Sequence, residues 1–197
     1  RLTRAGEALA KLPLDPRIGR MLVAARDLGC LTEVLIIAAA LSVQDPRERP
    51  QDRQQATDEK HRQFTDEKSE FLSWVKLWTW FQSAVEHKKT NRQLIDTVHS
   101  HFLSYLRLRE WREVHGQLHA MVAELGWIRG DETHPHPNPP LEGEGGRSSR
   151  FKGEAGRGMG ELPPATYNAI HMALLAGLLG NIGCKSDESG HYLGARG

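Results

Sequence analysis

Asp15-Pro-Arg-Ile-Gly-Arg-Met-Leu-Val-Ala-Ala-Arg-Asp-Leu-Gly29-Cys-Leu-Thr-Glu-Val-Leu-Ile-Ile-Ala-Ala-Ala-Leu41 is the stretch that decides the fold. It opens with an N-cap acceptor followed by proline at the first helical position, a strong start signal because proline lacks the N–H that this position leaves unpaired. Ile18, Met21, Leu22 and Ala25 recur at helical spacing, and Gly29 supplies the left-handed residue that stops a helix. Thr32 is the expected cap of a second helix, Glu33 to Leu41. That helix is apolar on nearly every side, which predicts a central position.

Upstream, Thr3 caps an expected short helix with Leu2, Leu9 and Leu12 on one side, and Pro13 ends it. Arg1 stands where an initiator Met would be and Leu2 already belongs to an apolar face, so the chain reads as a piece of a longer polypeptide.

Downstream, Ser42-Val-Gln-Asp-Pro-Arg-Glu-Arg-Pro50 brackets charges with prolines and predicts a rigid, exposed loop. Residues Gln51 to Phe64 are almost wholly polar and predict a solvated helix. Ser69 opens a long helix whose Phe71, Trp74, Trp78, Trp80 and Phe81 form an expected core stripe. After a polar break at His87–Asn91 and a short segment with Leu94, Ile95 and Val98, a last long helix is expected from Ser100. Its stripe is Leu103, Leu106, Trp111, Val114, Leu118, Met121, Val122 and Leu125, and Gly126 ends it. Residues 130–164 are rich in Pro and Gly and read as a disordered insert. A helix from Ala165 to Leu179 follows, carrying Ile170, Leu174, Leu175, Leu178 and Leu179. A hairpin comes last: Ile182-Gly-Cys, a turn at Asp187–Gly190, and a return at His191-Tyr-Leu.

Composition narrows the function. A formal net charge of +1 over 197 residues gives no global attraction to nucleic acid or membrane, so binding must come from local patches. No apolar run reaches the roughly 20 residues needed to span a bilayer. Cys30 and Cys184 are expected to be reduced thiols. Gly143-x-Gly-Gly and Gly156-x-Gly-x-Gly lack the Lys-Ser/Thr and the preceding strand that a phosphate loop needs, so they supply no nucleotide site. His115 and His119 share a helix face, but Gly116 stands where a zinc protease needs Glu. His134 and His136 flank Pro135 in the insert. No catalytic residue, cofactor site or metal site is assigned.

The basic residues are more informative. Arg107, Arg109 and Arg112 follow Tyr105, interleaved with Glu110 and Glu113, while Arg47 and Arg49 project from the proline-bracketed loop. Arginine forks hold phosphates and a tyrosine ring stacks on a base. Salt bridges within the helix account equally well for Arg109 and Arg112, and both readings stand.

The order of these pieces resembles the region that follows the motor in DEAH-box ATP-dependent RNA helicases. Leu2 to Arg17 and Met21 to Cys30 resemble the family's degenerate winged helix. Ala38 to Pro50 and Ala56-Thr-Asp-Glu-Lys-His61 are similar to the bacterial HrpA-like branch. Ser69 to Trp78 and Phe102 to Trp111 resemble the ratchet helices of the helical-bundle (HA2) domain, and Ile170–Gly183 with Gly190–Arg196 the opening of the OB-fold.

The resemblance implies a mainly α fold, a helical bundle after a degenerate winged-helix segment with the first strands of a truncated OB-fold at the C-terminus. The implied parts are 1–50 (winged-helix end and first associated helices), 51–129 (ratchet bundle), 130–164 (insert) and 165–197 (last helix and start of the OB-fold). The implied role is to guide single-stranded RNA, or a duplex with an overhang, past RecA-like motor domains in the cytoplasm. ATP and Mg would bind those motor domains and not this chain, and no membrane is involved. Arg47, Arg49, Tyr105, Arg107, Arg109 and Arg112 are the expected RNA contacts. The competing expectation is a helical protein-interaction adaptor that binds no nucleic acid.

Overall fold

The computed structural model describes residues 15–128, 164–179, 183–185 and 192–194. The expected helix at Thr3–Leu12 and nearly all of the Pro/Gly-rich insert lie outside the described residues. Seven α-helices are described: α1 (Pro16–Leu28), α2 (Leu31–Leu41), α3 (Gln54–Arg62), α4 (Glu70–His87), α5 (Asn91–Ser100), α6 (Tyr105–Glu124) and α7 (Pro164–Leu178). A 3-10 turn at Gln51–Arg53 precedes α3. Two strands follow α7, β1 (Gly183–Lys185) and β2 (Tyr192–Gly194), paired antiparallel with Cys184 opposite Leu193.

Local chemistry sets the helix ends. Asp15 Oδ1 accepts a hydrogen bond from Arg17 N at 2.8 Å, and Gly29 closes α1 at φ 70°. At α2 the expectation fails by two residues. The helix starts at Leu31 with Cys30 at the N-cap and no side-chain cap, so Thr32 lies inside the first turn. Cys30 is buried, and desolvation, helped by the charge of Glu33, pushes its thiol up to about 11. Ser69 caps α4 by accepting from Leu72 N at 3.4 Å.

The apolar-all-round helix α2 is the hub, with Val34 to Ala40 buried and α1, α4, α6 and α7 all against it. Trp111 of α6 is fully buried and donates its indole N–H to Ile36 O at 3.0 Å. Trp74 and Trp78 of α4 pack on it with ring centroids 5.6 and 5.0 Å away. The aromatic stripe is therefore core, as its spacing predicts. The segment expected to be wholly solvated is not: Thr57, His61 and Phe64 are buried.

Helix α7 packs along α1, and a Cβ added at Gly177 would fall on the Arg17 carbonyl oxygen and on Met21 Cγ. Its other flank meets the start of α4. His171 Nδ1 donates to Tyr167 O at 2.8 Å, which leaves Nε2 to accept the Ser69 hydroxyl at 2.7 Å. None of the described helices is long and apolar enough to cross a membrane.

A candidate nucleic-acid interface

The long helix expected from Ser100 is broken. Residue Ser100 ends α5, a turn covers His101–Ser104, and α6 begins only at Tyr105. Phe102 takes the left-handed conformation in that turn, at φ 54°. The break changes which side of α6 faces the core. Leu108, Trp111, Leu118 and Val122 are buried, while Leu106, assigned to the apolar stripe, is 65% exposed.

The turn is also where the proline-bracketed loop is fastened. Glu48 N donates to Phe102 O at 2.9 Å and Ser104 N donates to Pro46 O at 2.8 Å, a short antiparallel bridge centred on Arg47 and Leu103. From α3, the imidazole of His61 closes the junction. Its Nε2–H donates to His101 O and Phe102 O at 3.0 and 3.2 Å. The loop is thus pinned and partly covered rather than simply exposed, and Pro46 is buried.

Arg47 is held more tightly than its sequence position suggests. Its Nε and Nη2 fork onto Asp45, with Nη2 at 2.8 Å from Oδ2, and Nη2 also reaches Glu70 at the start of α4. Its guanidinium lies 4.5 Å from the centre of the Trp74 ring. Only 10% of the side chain is exposed. Burial alone would lower its pKa, but the hydrogen bonds to Asp45 and Glu70 outweigh this and raise it. Such a guanidinium positions the loop and has little capacity left for a phosphate.

The other expected contacts divide by exposure. Arg49 lies exposed on the same loop, and Arg109 is exposed on α6 in a loose pair with Glu113 at 3.6 Å. Arg107 is half-buried, and its Nη1 donates to Asp45 O at 3.0 Å, tying α6 to the loop. Arg112 is half-buried too. Desolvation lowers its pKa, against a smaller opposing pull from Tyr105. Tyr105 is half-buried against the core at the first turn of α6. Arg49 on the loop and Arg109 on α6 are therefore the exposed arginines on the two sides of this junction. A shallow concavity of about 460 Å³ lined by Thr90, Arg92, Gln93, Asp96, Thr97 and Ser100 opens on α5.

Sequence reasoning missed Asp45, Glu70 and Trp74 as the partners of Arg47, and His61 as the clamp. One signal was available. Asp15-Pro-Arg17 and Asp45-Pro-Arg47 are the same tripeptide and fold alike: in each, the arginine N donates to Asp Oδ1 at 2.8 Å and Nη2 to Oδ2 at 2.8 Å. The histidines considered as metal ligands sit otherwise. His115 packs 4.4 Å from the Trp78 ring and 6.1 Å from His119. No group of three or more metal-ligating side chains occurs among the described residues.

The described part is a mainly helical bundle centred on α2. Residues 15–77, from the start of α1 into α4, match the helicase associated domain (HA2), ratchet-like. The chain is 41% identical over 195 residues to the ATP-dependent RNA helicase HrpA homolog of Haemophilus influenzae, covering 99% of this chain and 12% of that protein. It is likewise 41% identical over 198 residues to the ATP-dependent RNA helicase HrpA of Escherichia coli, covering 100% of this chain and 13% of that protein. A pre-mRNA-splicing factor ATP-dependent RNA helicase of Schizosaccharomyces pombe is 30% identical over 117 residues, 59% of this chain and 9% of the relative. The chain belongs to the DEAH-box RNA helicases of the HrpA-like kind, and it spans about an eighth of the length of the bacterial relatives.

Proposed function

We propose that this chain is the accessory region of an ATP-dependent RNA helicase that guides single-stranded RNA past RecA-like motor domains and couples their movement to translocation. The observation that supports this most is the bridged junction between loop 44–50 and the turn before α6. It fastens Arg49, Tyr105, Arg107 and Arg109 to one rigid edge, where two open arginines grip phosphates without reading sequence. Arg47, saturated by Asp45, Glu70 and Trp74, fixes the loop, and Arg112 supports the α6 side of the edge.

Within this reading, residues 1–50 carry the end of a winged helix and the first associated helices. Residues 51–129 are the ratchet bundle, 130–164 an insert, and 165–197 the last helix and the opening of an OB-fold, in a cytoplasmic enzyme. ATP and Mg bind the motor domains.

The test is a fluorescence titration of a single-stranded RNA oligonucleotide at several salt concentrations. Binding should weaken linearly on a log–log salt plot, and Arg49→Ala and Arg109→Ala should each reduce the slope by about 0.7. Absent or salt-independent binding would favour the protein-interaction adaptor instead. In a helicase that contains this region, Arg107→Ala with Arg109→Ala should slow RNA unwinding more than basal ATP hydrolysis, and unchanged unwinding would remove the assignment.

A further inference from the structure

The head of α4 is held from two sides by neighbouring residues. Glu70 and Trp74, at i and i+4 on one face, hold Arg47 of loop 44–50 by an ion pair and by a ring whose centre lies 4.5 Å from the guanidinium. Ser69 and Phe71 meet α7 instead. The Ser69 hydroxyl is 2.7 Å from His171 Nε2, and the His171 ring meets the edge of the Phe71 ring with centroids 6.0 Å apart. Tyr167 stacks on that imidazole at 4.1 Å and donates its hydroxyl to Lys68 O at 3.2 Å, one residue before the cap.

Ser69 has one hydroxyl proton, and His171 decides where it goes. Because His171 Nδ1 donates to Tyr167 O, Nε2 is an acceptor and takes that proton. The lone pairs of Ser69 Oγ are then left for Leu72 N, 3.4 Å away, which is the cap bond of α4. Remove the acceptor, and the hydroxyl loses its fixed direction and the cap weakens. Asp66 Oδ1 still accepts from Ser69 N at 3.1 Å, so the first turn loosens while the helix stays folded.

We propose that His171 is a positioning residue for loop 44–50. By aligning the Ser69 cap it fixes the first turn of α4, and with it Glu70 and Trp74, the partners that hold Arg47. The seating of α7 is thereby coupled to the loop that carries Arg49. The consequence for RNA rests on the function proposed above; the coupling itself does not.

The test is residue-resolved amide exchange on the full chain, read at Arg47 and Glu48, whose N–H groups bond Asp45 Oδ1 and Phe102 O. His171→Phe keeps a ring against Tyr167 and Phe71 but removes the acceptor. It should raise exchange at both amides about fivefold, the effect of one net hydrogen bond. The amides of Leu35 and Ile37, at the buried centre of α2, should keep their protection. His171→Gln carries an amide oxygen near the Nε2 position and should restore parental exchange, whereas Ser69→Ala should raise it at least as much as His171→Phe. In a Glu70→Gln background, where Arg47 has already lost its ion pair, His171→Phe should add less than it does alone. Unchanged exchange at Arg47 and Glu48 would overturn the proposal, as would an equal rise in α2 or a Gln variant no better than Phe. Single-stranded RNA binding should weaken about threefold in His171→Phe and recover in His171→Gln. Equal RNA affinity of parent and His171→Phe would overturn the link to RNA. A parent chain that binds no RNA would instead remove the functional reading, and the exchange data would still decide the coupling.

Discussion

His61 ties α3 to the turn after α5 with one ring. Its Nε2–H serves the carbonyls of His101 and Phe102, and its Nδ1 is buried with no hydrogen-bond partner among the described residues. A proton on Nδ1 would find no acceptor there. Desolvation holds the pKa below its ordinary 6.5, the two carbonyls pull the other way, and the nearby Arg47 and Arg49 lower it further. The unfolded chain therefore takes up this proton at a higher pH than the folded one. His61 stabilises the fold fully above pH about 6.5, and that contribution is lost as pH falls toward the depressed folded value. His61→Gln keeps a donor near the Nε2 position and removes the titration, so urea unfolding from pH 7.5 to 5 should show a shallower decline than the parent. An identical decline would refute the account. Trp111, fully buried between Trp74 and Trp78, is the other sensitive residue. Trp111→Ala should cost about 3–5 kcal/mol in the same assay.

Among elements, the tightest fit is α1 on α7. Only the missing Cβ of Gly177 lets the Arg17 carbonyl and Met21 approach, so Gly177→Ala should destabilise by about 1–3 kcal/mol despite the higher helix propensity of alanine. A stabilised variant, read by thermal melting, would mean that the two helices part easily. Helix identity was largely legible in the sequence, because Asp15-Pro16, Gly29, Ser69 and Gly126 carry local chemistry that acts without a tertiary partner. Where partners decide, the reading failed. Leu106 looks like core by period, but the left-handed turn at Phe102 restarts the helix and rotates it outward. His61 and Phe64 sit in a polar run and are buried against α4 and the turn after α5, which no local window contains. The arginines beside this junction are visible in the sequence by type. Their division into an anchor and open cations depends on Glu70 and Trp74, more than twenty residues beyond Arg47 in sequence.

For the molecule as a whole, α7 returns to α1 and α4 after residues 129–163, whose composition predicts a linker. The entropy of closing such a linker grows only with the logarithm of its length. Deleting half of it should therefore raise stability by about 0.6 kcal/mol, measured by urea denaturation. A change of several kcal/mol would show that the segment packs. The pairing of α1 with α7 has a further consequence during synthesis. At roughly 5–20 residues per second, α1 leaves the ribosome about seven to thirty seconds before the helix that covers it. For that interval Met21, Leu22 and the apolar run Val34–Ala40 lack part of their cover, and the first helices carry solvent-facing apolar surface until α7 arrives.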